Sequence, residues 1–130
     1  MPLQEIEFGR AVKVVPCDTH GPKCARDFVC ATLSDWNLET FAYVAELLVS
    51  ELATNSAMHT DCDQATVEID LGDEALRIAI TDAGAMFDPK RPRLPGEPGG
   101  FGLAMVDAAA LRWGIDGAST GKTVWFELQT

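Results

Sequence analysis

The stretch Glu46-Leu-Leu-Val-Ser-Glu51-Leu-Ala-Thr-Asn55-Ser-Ala-Met-His59 predicts one helix. Its core-facing stripe repeats at three- and four-residue steps and comprises Phe41, Ala45, Leu48 and Leu52. Glu51, Asn55 and His59 recur every fourth residue and form a second stripe. Asn55 is the unusual member, because an Asn side chain competes for the helix backbone. Either this stripe is a solvated face, or Asn55 holds Mg²⁺, which takes oxygen ligands and keeps waters and substrate phosphates in its shell.

Composition and charge describe a single domain and exclude some partners. The chain has 130 residues, of which 47% are hydrophobic, and this is enough for a real core. The formal net charge of -10 argues against direct binding to nucleic acid or to an anionic membrane, which both require a basic patch. No run is apolar enough to cross a membrane, and no signal peptide is recognisable, so we expect a cytoplasmic protein.

The spacing of the cysteines indicates free thiols in a reducing compartment. Cys17, Cys24, Cys30 and Cys62 form no C-x-x-C pair. A metal site built from Cys17, His20 and Cys24 is an alternative. We disfavour it, because these residues surround a helix start with no fourth ligand nearby.

The N-terminal half predicts one strand followed by two helices. Apolar residues alternate over residues 5–15 and predict a strand at a sheet edge. Asp18 to Pro22 contains the residues of a helix start, and the first helix runs to about Leu33. After a break at residues 35–37, the central helix extends from about Glu39 to Met58.

A hairpin and a long loop come next. Alternation over residues 65–81, with a turn at Gly72 and Asp73, predicts two half-buried strands. Residues 85–100 contain four prolines and three glycines, which exclude regular structure. A loop of this length in a compact domain is typically functional, so we expect a lid.

The last segment predicts a helix with its core stripe from Leu103 to Leu111, ended by Gly114, and then a final hairpin. The whole order is strand, helix, helix, hairpin, lid, helix, hairpin. It predicts one domain over residues 1–130 of the α/β (α+β) class. We expect a two-layer sandwich, in which three helices cover one face of a mixed, mostly antiparallel sheet.

Three short motifs each allow a bland and a functional interpretation. Asp82-Ala83-Gly84 is either a simple turn or a carboxylate at a pocket rim that accepts a hydrogen bond from an amino group such as that of adenine. Gly99-Gly100-Phe101-Gly102-Leu103 opens a helix whose backbone N–H groups can cradle phosphate, although it is not the dinucleotide fingerprint. Gly121-Lys122-Thr123 imitates the end of a P-loop, but the upstream glycine is missing and a strand follows.

The order and spacing of the motifs are more specific than any one of them. The set resembles the nucleotide-binding boxes of the GHKL ATPases, with their Bergerat ATP-binding fold: Glu51-x-x-x-Asn55-x-x-x-His59, Asp82-x-Gly84, Gly100-x-Gly102-Leu103 and Gly121-x-Thr123-Val-Trp-Phe. Within that superfamily the single small domain and the short lid look like the anti-sigma-factor serine/threonine kinases of the SpoIIAB and RsbW type, especially the small actinobacterial regulators. The resemblance covers nearly the whole chain.

The resemblance implies a site for ATP and Mg²⁺. Asn55 would hold the metal, and Glu51 would be the general base that takes a proton from the attacking serine hydroxyl or water. Asp82 would bind the adenine amino group, and Gly84 would let the ring approach.

Further residues follow from the same resemblance. Gly100, Gly102 and Leu103 would belong to the lid over the phosphates, and Thr123 would support the adenine end. Arg26 would lie at the partner-binding surface.

The implied function is an ATP-dependent protein kinase. It would phosphorylate a serine of an anti-anti-sigma (STAS) partner, sequester a sigma factor, or both, and family members often pair into homodimers. The alternatives are an ATP-binding interaction module without kinase turnover and a simple ATPase. Departures from the family pattern, such as Ser56 after Asn55 and Ala85 after Gly84, remove no residue needed for ATP.

Overall fold

The computed structural model describes residues 4–59, 63–84 and 103–130. Within these residues the elements are β1 Gln4–Glu7, β2 Arg10–Pro16, α1 Gly21–Asp35, a short 3-10 helix Glu39–Phe41, α2 Ala42–His59, β3 Gln64–Leu71, β4 Ala75–Asp82, α3 Ala104–Ala109, β5 Arg112–Ala118 and β6 Gly121–Gln129. The predicted lid, with Gly100 and Gly102, lies outside the described residues.

The strands form one sheet in the order β1-β2-β3-β4-β6-β5. Every strand pairing within the described residues is antiparallel, so the sheet there is not mixed. Inward-facing residues of the central strands are fully or almost fully buried: Val67, Ile69, Ile78, Ile80, Val124 and Phe126. They share one core with α1 and α2, which confirms the predicted two-layer α+β architecture.

The two long helices form where the sequence predicts them. The backbone N–H of His20 donates to Oδ1 of Asp18 at 2.8 Å, and Pro22 lies in the first turn of α1. The break after α1 is set by Asn37, whose φ of 59° is the left-handed conformation that ends many helices. Ala45, Leu48 and Leu52 are buried in the core, as predicted for the apolar stripe of α2.

The prediction of a single N-terminal strand was wrong. The chain reverses between β1 and β2, which pair antiparallel with Glu7 opposite Arg10. Gly9 has a φ of +90°, a conformation that glycine adopts without steric cost. A hairpin therefore replaces the predicted single strand, and β1 becomes the edge of the sheet.

The prediction of a longer third helix was also wrong. The helix ends at Ala109, and the backbone N–H of Leu111 already donates to the carbonyl of Glu127, 2.8 Å away. Gly114 lies within β5, opposite Trp125. A Cβ at Gly114 would meet the Trp125 ring at 2.8 Å, so this glycine makes room for the indole and does not end a helix.

None of the helices within residues 4–59, 63–84 and 103–130 is long and apolar enough to cross a membrane.

Candidate functional site

The C-terminal half of α2 carries the polar residues of the candidate site. Asn55 is only 4% exposed, so the solvated-face interpretation does not apply to it. Glu51, one turn earlier on the same side of the helix, is half-buried. Burial raises the pKa of the Glu51 carboxyl group, because desolvation disfavours its charged form. A carboxyl group with a raised pKa is better suited to accept a proton near neutral pH.

A buried hydrogen bond fastens α2 to the end of β4. The hydroxyl of Ser56 donates to Oδ2 of Asp82 at 2.6 Å. Ser56 is the residue after Asn55, and Asp82 is the last residue of β4. The structure therefore brings two of the predicted motifs, the one around Asn55 and the one at Asp82, to the same end of the sandwich.

Asp82 has two further donors, on its other oxygen. The backbone N–H of Gly84 donates to Oδ1 at 2.8 Å, and the ammonium group of Lys122 donates to the same oxygen at 2.6 Å. The side chains of Lys122 and Asp82 are 2% and 1% exposed. The N–H of Gly84 thus bonds the carboxylate as in a simple Asp-x-Gly turn, and its role in letting the adenine ring approach stays a prediction.

Sequence reasoning missed Lys122. The signal was available, because Val124, Phe126 and Leu128 alternate as core residues and the same alternation places residue 122 on the inner side of β6. The register sets Lys122 directly opposite Asp82. Their side chains therefore emerge as a cross-strand pair on the face that meets the helices.

Gly121 lets β6 come close to the end of β4. A Cβ at this position would lie 2.1 Å from the carbonyl oxygen of Asp82, a distance that no real side chain tolerates. Its φ of +154° also lies in the region that favours glycine. The glycine is needed where Asp82 and Lys122 are brought together.

Thr123 lies on the opposite face of the sheet from Lys122. The hydroxyl of Thr123 is 2.8 Å from the hydroxyl of Thr81, and Thr81 is an exposed residue. The structure thus does not bring the Thr123 side chain to the cluster of Ser56, Asp82 and Lys122. Its role at the adenine end stays a prediction. Leu103, also predicted for the site, is 3% exposed and immediately precedes α3.

Arg26 contacts the central helix. Its Nη1 donates to the hydroxyl of Ser50 at 2.7 Å, so it connects α1 with the residue before Glu51. This contact shows what holds the guanidinium group, and the partner-binding role stays a prediction.

Metal binding depends on few protein groups. Within the described residues, no group of three or more His, Cys, Asp or Glu side chains could hold a metal ion. The residues of the alternative site, Cys17, His20 and Cys24, form no such group. Mg²⁺ in nucleotide sites typically takes one or two protein ligands, and phosphates and waters complete its shell. The amide oxygen of the buried Asn55 fits that small donor set.

Comparison with known proteins identifies the family. The model of the histidine kinase-like ATPase domain family matches residues 20–128, so the chain belongs to this family. A search of curated proteins gives no significant match.

One similar solved structure contains the RsbU and RsbW domains of Rv1364c from Mycobacterium tuberculosis. The TM-score is 0.71 at 15% sequence identity, and the alignment covers 95% of this chain. It covers 33% of the other chain, so this protein spans about a third of its length. The predicted fold is thereby confirmed as that of the histidine kinase-like ATPase domain, and a structure that contains an RsbW domain shares it.

Proposed function

We propose that this domain binds Mg-ATP and acts as a regulatory serine/threonine kinase of the anti-sigma-factor type. Its protein substrate is an anti-anti-sigma partner of the STAS class, and its second partner is a sigma factor. Support comes from the family match and from the fold shared with a structure that contains an RsbW domain. The strongly acidic chain suits protein partners with basic surfaces better than nucleic acid.

The observation that carries the proposal is the bond between Ser56 and Asp82. It joins the helix that bears Asn55 to the strand end that bears the acceptor for the base. A nucleotide spans a metal-phosphate end and a base end, so one site needs both motifs side by side. The buried Asn55 lies on the same helix, one residue away from this bond.

In the proposed mechanism each residue has a separate task. Glu51 accepts the proton of the attacking serine hydroxyl, helped by the pKa that burial raises. The amide oxygen of Asn55 would hold Mg²⁺, which would supply neutralisation of phosphate charge. Asp82 and Gly84 form the base end. For Gly100 and Gly102, which lie outside the described residues, we propose the phosphate-binding role that the resemblance implies. Positioning and charge neutralisation supply most of the catalysis in phosphoryl transfer.

A second candidate is an ATP-binding interaction module without turnover. One observation favours it: Lys122 already bonds Oδ1 of Asp82, within a buried ion pair. Because the protein already occupies part of the hydrogen-bonding capacity of Asp82, the site would bind nucleotide less tightly. Regulation would then rest on sequestration of the partner.

The test incubates the protein with Mg-ATP and candidate STAS-domain antagonists and measures phosphoserine on the antagonist. Transfer that disappears in Glu51→Ala supports the kinase. ATP binding without transfer to any antagonist supports the module, and phosphate release without a partner shows a simple ATPase. Absence of nucleotide binding would contradict all three.

A further inference from the structure

Asp82 is the proposed acceptor for adenine, yet the protein itself supplies donors to both of its oxygens. Ser56 bonds Oδ2, while Lys122 and Gly84 both bond Oδ1. A carboxylate offers about four lone-pair positions. Three of them are taken before any ligand arrives, and both positions on Oδ1 are filled.

Of these donors, Lys122 contributes the charge. Its ammonium group lies 2.6 Å from Oδ1, and charge-assisted hydrogen bonds of this kind are roughly twice as strong as neutral ones. A neutral exocyclic amino group is the weaker competitor for the same oxygen. Displacing Lys122 would also leave a buried ammonium without its carboxylate, and that is strongly unfavourable.

The lysine is fixed in this position. The backbone register places it opposite Asp82, and the side chain is 2% exposed. The close approach that Gly121 permits holds β6 against the end of β4. The ammonium group therefore has a fixed position at the base end, whereas the ammonium group of an exposed lysine could move into solvent.

We propose that Lys122 is a specificity-determining residue: it fills Oδ1 of Asp82 and leaves one acceptor position, on Oδ2, of a carboxylate that is only 1% exposed. This domain therefore binds nucleoside triphosphates with little preference for the 6-amino group of adenine. The inference rests on the proposed nucleotide site and deepens it. Binding energy then comes from the metal-phosphate end, and the base end contributes shape more than hydrogen bonding. Removing the ammonium returns Oδ1 to the ligand and creates the missing preference.

The experiment measures affinities by calorimetry for Mg-ATP and for Mg-bound purine riboside triphosphate, which lacks only the 6-amino group. For the unmodified protein we expect the two affinities to agree within about threefold. For Lys122→Met we expect ATP to be preferred by about tenfold or more, since a buried acceptor discriminates against a ligand without the donor. The double variant Lys122→Met/Asp82→Asn is the matched control and should lose most of that preference, because the carboxylate is gone.

The outcomes separate this inference from the proposed function. A preference for ATP above about tenfold in the unmodified protein overturns the role of Lys122 and leaves the nucleotide site intact. A folded Lys122→Met protein that shows no increased preference for ATP over purine riboside triphosphate also overturns the role of Lys122 and leaves the nucleotide site intact. The measurement on the unmodified protein needs no variant, so it decides the question even where Lys122→Met fails to fold. Absence of binding by the unmodified protein overturns both the inference and the proposed function, whatever the variants do, because both require this domain to bind nucleoside triphosphates.

Discussion

The ammonium group of Lys122 lies 2.6 Å from Oδ1 of Asp82, and both side chains are almost completely buried at facing positions of β6 and β4. Charges removed from water in this way are retained only when they are paired and hydrogen-bonded. Ser56 and the backbone of Gly84 donate two further hydrogen bonds to the carboxylate. The site end of the fold is thus organised around an ion pair that the sequence motifs alone did not reveal.

The first prediction concerns the stability of this pair. Lys122→Met leaves Asp82 without its cation and should lower the free energy of unfolding by about 3–5 kcal/mol. Lys122→Met/Asp82→Asn removes both charges and should recover most of the loss. Urea unfolding of the three proteins measures this, and equal destabilisation by the single and double variants would contradict the pairing.

The second prediction concerns Gly121. Gly121→Ala places a methyl group 2.1 Å from the Asp82 carbonyl and must displace one strand, so we expect a loss of about 1–3 kcal/mol. Gly72→Ala is the control, because its new Cβ meets the Ala75 carbonyl at an ordinary 3.5 Å. Thermal unfolding compares them. A Gly121→Ala protein as stable as Gly72→Ala would contradict the close approach.

The third prediction is a pH dependence at Glu51. Its pKa is raised by burial, so the folded state binds the proton more tightly than the unfolded state does. Ionisation of Glu51 therefore costs stability above the raised pKa, and the cost disappears below the ordinary pKa of a glutamate. Glu51→Gln should be the more stable protein at neutral pH, with the difference shrinking in acid. Thermal unfolding against pH measures it, and a difference that grows in acid would have the wrong sign.

The same substitution separates catalysis from binding. Glu51→Gln should reduce phosphoryl transfer at least about 100-fold, because it removes the base, while ATP affinity changes little. In the unmodified protein transfer should rise with pH through the raised pKa. Unchanged transfer in Glu51→Gln would remove Glu51 from the mechanism.

The fourth prediction concerns Arg26. Arg26→Ala should weaken partner binding by about tenfold, or ~1.4 kcal/mol, if the guanidinium group meets the partner. Ser50→Ala removes the bond between α1 and α2 but keeps the charge, and it should bind the partner almost normally. Equal losses in both variants would make the contact purely structural.

Periodicity and turn chemistry predicted most of the fold. The stripe of Ala45, Leu48 and Leu52 and the alternation of the hairpin strands each fix a buried face, so helices and sheet follow. The misplaced elements share one cause. The predicted first strand runs through Gly9, and Gly114 is predicted to end the third helix, whereas Gly9 makes a left-handed turn and Gly114 makes room for Trp125.

The site was predictable in part. The spacing of Asn55 and Asp82 located two motifs. Their connection through Ser56 depends on how α2 packs on the sheet, and the pairing of Asp82 with Lys122 depends on strand register; local sequence encodes neither. The face of Thr123 was predictable from the sequence, since the alternation of Val124, Phe126 and Leu128 that turns residue 122 inward also turns residue 123 outward.

The most direct test is the affinity for ATP with and without Mg²⁺, measured by calorimetry. The control for Asn55→Ala is Thr54→Ala, a neighbouring position on α2 whose hydroxyl donates to the Ser50 carbonyl. We predict that removing Mg²⁺ weakens ATP binding at least about tenfold in the unmodified protein and in Thr54→Ala. Asn55→Ala should stay folded and lose Mg-ATP binding. The same affinity with and without Mg²⁺, or an unchanged affinity in Asn55→Ala, would contradict the assignment of this domain as a Mg-ATP site.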